Sequence, residues 1–178
     1  MKNHPTETEV PANSRIAELL DGASFYDAWS IRSTDVTLSA LDHFIVAAKQ
    51  TPRWIDACMI LRNRLGGLVG LKNLGTLSGV AADKPASDFE PGSRVGIFTV
   101  FESRFDEALI GDKDKHLDVV LSIHRSESPD GKHVTITVTT VIHVKNRLGR
   151  IYMLPVKPMH RLIAPAVLAG KIRAEQAA

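Results

Sequence analysis

One stretch narrows the fold more than any other: from His116 to Lys145, apolar and polar side chains alternate along two segments separated by Ser128-Pro129-Asp130-Gly131. In the first segment Leu117, Val119, Leu121 and Ile123 fall on one side of the pleat, with His116, Asp118, Ser122 and His124 on the other. In the second, Val134, Ile136, Val138, Ile142 and Val144 oppose Thr135, Thr137, Thr139 and His143. A period of two denotes a strand with one face in the core and one in water, and β-branched residues fit such a pleated surface. Between the arms, proline fixes φ and glycine accepts the positive φ of a tight turn. Placing Arg125 opposite Lys132 predicts Ile123 beside Val134, Leu121 beside Ile136, Val119 beside Val138 and Asp118 beside Thr139. Thr140, beside Leu117, is then the one polar side chain on the apolar face.

An antiparallel sheet with one apolar face must be covered by helices. Phe25 to Ile31 alternates as a first strand, with Phe25, Asp27, Trp29 and Ile31 on one side. Leu38 to Lys49 places Leu38, Leu41, Ile45 and Ala48 on one helical stripe. Thr51-Pro52 starts a second helix, the threonine as cap and the proline in the first turn. Trp54, Cys58, Leu61, Leu65 and Leu68 form its core-facing stripe, with Trp54 as an anchor or, second, a ligand-stacking ring. Gly66 to Lys72 lacks the spacing of a phosphate loop and reads as helix termination. After a surface loop from Ala81 to Gly92, strands are expected at Val95–Phe101 and Phe105–Ile110, followed by a charged turn from Gly111 to Lys115. Arg150–Leu154 reads as a last strand ended by Pro155, and a final helix begins at Lys157, kinked at Pro165.

Composition sets the remaining bounds. The 178 residues suffice for one core, expected over 14–178 behind a flexible tail, 1–13, with Ser14 capping a short turn. The net charge of +2 gives no reason to expect nucleic acid or an anionic membrane as partner. A single cysteine excludes an intrachain disulfide framework. No apolar run reaches the roughly 18 residues of a membrane span, and the polar N-terminus points to a cytoplasmic protein.

Three segments carry a resemblance: Pro52-Arg53-Trp54 with Leu61-Arg62-Asn63; Gly111 to Asp118; and Asn146 to Tyr152 continuing through Pro155 to His160. They resemble a family of bacterial proteins catalogued as domain of unknown function 2867. The element order is similar to the helix-grip pattern of the START and Bet v 1-like (polyketide-cyclase-like) superfamily. That resemblance implies an α+β fold: a curved antiparallel sheet wrapped around a long C-terminal helix, with two helices after the first strand and an apolar cavity between sheet and helix. Relatives resembling it follow nucleotide-binding reductase-like domains, so a reductase would be a separate partner here, and no cofactor is expected.

The expected function is binding of a small apolar molecule, lipid-like or aromatic. Trp54, Leu117, Val119, Val138, Thr140 and Ile142 line the cavity, gated near Tyr152 and His160. The alternative is a cofactor-free cyclase, isomerase or hydrolase using His116, Asp118 or His160 for proton transfer. His116 and Asp118 stand roughly 7 Å apart on one strand face; a hydrogen-bonded network tying the sheet edge to the Asn146 turn is the plainer reading. Asn63, Asn146 and Arg150 are read as structural motif residues, and Arg150 and Tyr152 share a face in the expected last strand. No metal is expected, because the register keeps His116 and His143 apart. A third reading is an interaction module, meeting another protein or a second copy to form a homodimer through Arg62, Arg64, His124 and His133.

Overall fold

The long hairpin forms the centre of a seven-stranded open sheet, antiparallel throughout. A computed structural model describes residues 3–68, 73–80 and 84–177. The strands are β1 (Thr6–Glu7), β2 (Phe25–Ser33), β3 (Arg94–Val95), β4 (Phe98–Ser103), β5 (Glu107–Lys113), β6 (Leu117–Glu127) and β7 (Val134–Val144). Their spatial order is β1-β2-β7-β6-β5-β4-β3. Three helices complete an α+β fold: α1 (Ala40–Lys49), α2 (Arg53–Leu68) and the C-terminal α3 (Arg147–Ala177).

The register of the hairpin differs from the expected one by four residues along β7. Ile123 pairs with Val138, Leu121 with Thr140, Val119 with Ile142 and Asp118 with His143. A shift of four keeps every side chain on its own face, so the apolar pattern fits both registers. The turn decides between them: β6 runs on to Glu127, and the Ser128 amide donates to His133 O (2.9 Å) while Ser128 Oγ accepts from the His133 amide (3.1 Å).

The inner face of the sheet packs against α1 and α3 around Ile31, Leu41, Phe44, Ile123, Ile136 and Leu168. Helix α1 starts with a capping box in which the Ser39 hydroxyl accepts from the Asp42 amide and the Asp42 carboxylate accepts from the Ser39 amide. Gly170 lets α3 approach α1 closely: a Cβ there would lie 2.8 Å from Ala47 O.

The outer face, expected to be wet, is partly covered. Ile16 is fully buried against Val120 and Val141, carried by a 3-10 turn over Arg15–Leu19. Ser14 caps that turn by accepting from the Ile16 amide, and its hydroxyl also donates to the buried Glu107 carboxylate. Ser122 Oγ donates to the same carboxylate (2.6 Å), and the Arg15 amide adds a bond of 3.0 Å. Ser122, His124 and Thr139, on the same face, are buried as well. Upstream of this segment, Thr6 and Glu7 pair with Ser30 and Trp29 at the sheet edge.

Two expectations fail on the helical side. Arg150–Leu154 is not a strand but belongs to α3, which starts at Arg147 and continues past Pro155, Pro158 and Pro165. Strand β7 is already paired on both sides, by β2 and β6, so no adjacent place exists for another strand. Asn146 instead caps the helix, its Oδ1 accepting from the Gly149 amide (3.1 Å). The Trp54–Leu65 stripe of α2 does not face the core either. Trp54, Leu61 and Leu65 are exposed, Cys58 is half-buried, and Ile55 and Gly66 make the inward contact. The sheet's inner face is already occupied by α1 and α3, which leaves α2 at its margin. Thr51 precedes α2, but its hydroxyl caps nothing. Val69–Lys72 of the glycine cluster and Ala81–Asp83 of the surface loop lie outside the described residues.

Candidate functional site

The site is assembled by one row of the sheet. Asp27 on β2 pairs with Thr140 on β7, and Thr140 with Leu121 on β6, so a carboxylate and a hydroxyl stand side by side on the inner face. His160, from the part of α3 that crosses this row, closes the group. Its Nδ1 lies 3.0 Å from Asp27 Oδ2 and its Nε2 lies 3.4 Å from Thr140 Oγ1. Trp29 Nε1 donates to the same Asp27 oxygen at 3.2 Å, and the Phe25 ring meets the imidazole edge-on with centroids 5.6 Å apart.

This arrangement assigns the hydrogen positions. A carboxylate oxygen accepts, so Nδ1 carries the proton; in the neutral ring Nε2 is then an acceptor, and Thr140 Oγ1–H donates to it. Asp27 and Thr140 are buried, whereas the His160 side chain keeps 20% of its surface exposed. Asp27 Oδ1 is buried without a hydrogen-bond partner among the described residues. Next to this polar group Trp29, Val119 and Val138 are half-buried although they lie on the inner face.

The residues named from sequence separate into three groups. Thr140, Val138, Val119 and His160 meet on this patch, with Ile142 and Leu117 in a neighbouring cluster against Met153. Trp54 is exposed on α2 and is not part of it. Tyr152 stands on α3, where its hydroxyl accepts from Arg62 Nε (3.0 Å) beneath a guanidinium 5.4 Å from the ring. Asn63 holds the segment after α2, donating to Gly75 O (2.9 Å) and accepting from the Leu74 amide.

His116 and Asp118 belong to a joint between the β5–β6 turn and the start of α3. Asp114 Oδ1 accepts from the His116 and Leu117 amides, Asn146 Nδ2 donates to Lys115 O (3.0 Å), and Lys145 Nζ pairs with Asp118 (2.6 Å). Gly149 packs on the same turn: a Cβ there would lie 2.5 Å from His116 O. The segments Gly111–Asp118 and Asn146–Tyr152, distant in sequence, therefore touch. Arg150, exposed on the first turn of α3, makes no side-chain bond in it. Among the described residues no cluster of three or more His, Cys, Asp or Glu side chains is placed to hold a metal ion, and no helix is long and apolar enough to cross a membrane.

Asp27 was not singled out from sequence. Its signal was present, as the one charged side chain among Phe25, Trp29 and Ile31 on the inward side of a strand. A charge at such a position stays buried when a partner meets it, and that partner lies on the last helix.

A family model described as "Protein of unknown function (DUF2867)" matches residues 19–167. No curated protein and no solved structure matches the chain.

Proposed function

The chain belongs to that family of proteins of unknown function, and on this premise we propose that it binds a small, largely apolar molecule between α3 and the sheet, anchored through one polar group at His160. The observation that carries the reading is the Asp27–His160–Thr140 array, a fixed polar group within an apolar patch. Ligand sites commonly pair an apolar lining with a few convergent polar groups. The half-buried Val119, Val138 and Trp29 supply the lining, and the unpartnered Asp27 Oδ1 is an acceptor for a donor on the ligand. At the level of the fold, α3 lying across an antiparallel sheet supports a helix-grip, START-like reading, with the bacterial cytoplasm as compartment.

Acid–base catalysis on the same molecule is the second reading, favoured by one geometric fact. With Nδ1–H held by Asp27, Nε2 is the acceptor end of a partly exposed ring, and a substrate proton would have to take the place of the Thr140 hydroxyl there for Nε2 to act as a general base. Thr140 is buried and serves to orient the ring.

The test is native mass spectrometry of the protein purified from its own host, followed by denaturing extraction and by 15N NMR of the His160 ring. A reproducible apolar adduct that shifts the His160 Nε2 resonance, and that Val138→Phe excludes while the far-UV circular dichroism is unchanged, is the expected result. An apo mass, together with a His160 spectrum indifferent to a panel of aromatic and aliphatic acids and ketones, would overturn the proposal.

A further inference from the structure

Of the ten large apolar side chains that stand exposed among the described residues, seven lie on α2 and the first half of α3. Trp54, Leu61 and Leu65 fall on one stripe of α2, and Ile151, Leu154 and Leu162 on one side of α3, with exposures from 43% to 73%. Arg62 and Tyr152 join the two helices. Each stripe is turned away from the buried residue at its own level of the helix, Ile55 on α2 and Met153 on α3. Concentrated apolar exposure of this kind marks an interaction surface.

Charge is concentrated on the same elements. Helix α2 holds three Arg and one Asp, and Arg147 to Ala166 holds three Arg and one Lys with no acidic residue. These segments therefore carry +6, and the remaining residues −4, of a chain whose net charge is +2. Arg53, Arg64, Arg147, Arg150 and Arg161 are exposed and have no acidic partner among the described residues. The small net charge conceals this asymmetry.

We infer that the α2–α3 face docks on the surface of an anionic phospholipid bilayer. Exposed Trp, Leu and Ile beside seven cations and a single acid, Asp56, which accepts from Ser78, match the two needs of an interfacial helix, apolar groups for the acyl boundary and cations for the headgroups. A second copy docking through the same face would set +6 against +6. A nucleic acid would use the arginines and leave six large apolar side chains in water. The proposal is independent of the ligand site beneath α3.

The experiment is flotation of the full chain with vesicles of phosphatidylcholine alone and of phosphatidylcholine mixed with phosphatidylglycerol, read together with tryptophan fluorescence. The expected result is flotation with the anionic vesicles alone, lost at high salt, with a blue shift that Trp54→Phe abolishes. Arg150→Ala and Arg161→Ala should each weaken partitioning roughly fivefold, and Leu154→Asn should weaken it without changing the circular dichroism. Absence of flotation overturns the inference, as does equal flotation with neutral vesicles. A concentration-dependent dimer that Leu154→Asn dissociates would assign the face to a second copy instead. Saturable binding of polyglutamate without vesicle binding would assign it to an acidic protein.

Discussion

His160 Nδ1 lies 3.0 Å from Asp27 Oδ2, a contact that joins α3 to β2 across 133 residues of sequence. It fixes the rotation of the helix over the sheet at one point, because the imidazole reaches both Asp27 and Thr140 from one position on α3. The partners on the sheet are themselves a cross-strand pair. A mutation on either side acts on helix docking and on the site together.

Replacing His160 by alanine leaves a buried carboxylate without its strongest partner, and the cost of an unsatisfied buried polar group sets the scale. We expect His160→Ala to lower unfolding free energy by about 1–3 kcal/mol and Thr140→Val by less than about 1 kcal/mol. Urea denaturation of His160→Ala, Asp27→Asn and the double variant closes a mutant cycle. A coupling energy near zero would mean that the contact is incidental.

His43, on α1, is 1% exposed, and neither ring nitrogen has a hydrogen-bond partner among the described residues. Burial first, and then the nearby Lys171 ammonium, push its pKa down to about 4 from 6.5, while Asp35 and Glu175 pull the other way. The folded-state value lies below the unfolded one, so the unfolded chain takes up this proton first. The contribution is complete above about pH 6.5 and is lost as pH falls toward 4. Between pH 7 and pH 5 this histidine alone should remove about 2 kcal/mol of stability. His43→Leu should flatten that interval in chemical denaturation; an unchanged slope would refute the assignment.

Two glycines in helices should respond to alanine with opposite signs. At Gly149 a Cβ would meet His116 O at 2.5 Å and Val144 Cγ1 at 3.0 Å, so Gly149→Ala must push α3 from the β5–β6 turn. A loss of about 1–3 kcal/mol is expected. At Gly67, in α2, a Cβ meets nothing within 4 Å, and Gly67→Ala should gain up to about 1 kcal/mol from helix propensity. Thermal unfolding of both variants checks the pair.

How far the site could be read from sequence is best seen in Thr140 and Asp27. Thr140 stood out as a polar residue on an apolar strand face, and it lies in the site. Asp27 carried the same signal in a shorter and less regular strand. Their shared partner, His160, was expected near the mouth of the same cavity, but its contact with both was not, because Arg150–Leu154 followed by Pro155 has the local look of a strand and its end. The helix there depends on the Asn146 cap and on the want of a free edge beside β7. The stripe of α2 misled for a related reason. Helical spacing groups Trp54, Leu61 and Leu65 on one face without saying which way that face points.

Alternation along β6 and β7, the turn residues between them and the Ser14 cap depend on neighbours a few residues apart. The sequence by itself therefore determined an α+β chain built on a long antiparallel hairpin. Register was decided only in three dimensions, since burial is unchanged by an even slip and the closure of the Ser128–His133 turn chose among the alternatives. Tertiary structure likewise decided the covered outer face, the outward turn of α2 and the meeting of Asp27 with His160. Each is a contact between segments far apart in the chain, where the energy depends on what else has already taken the available surface.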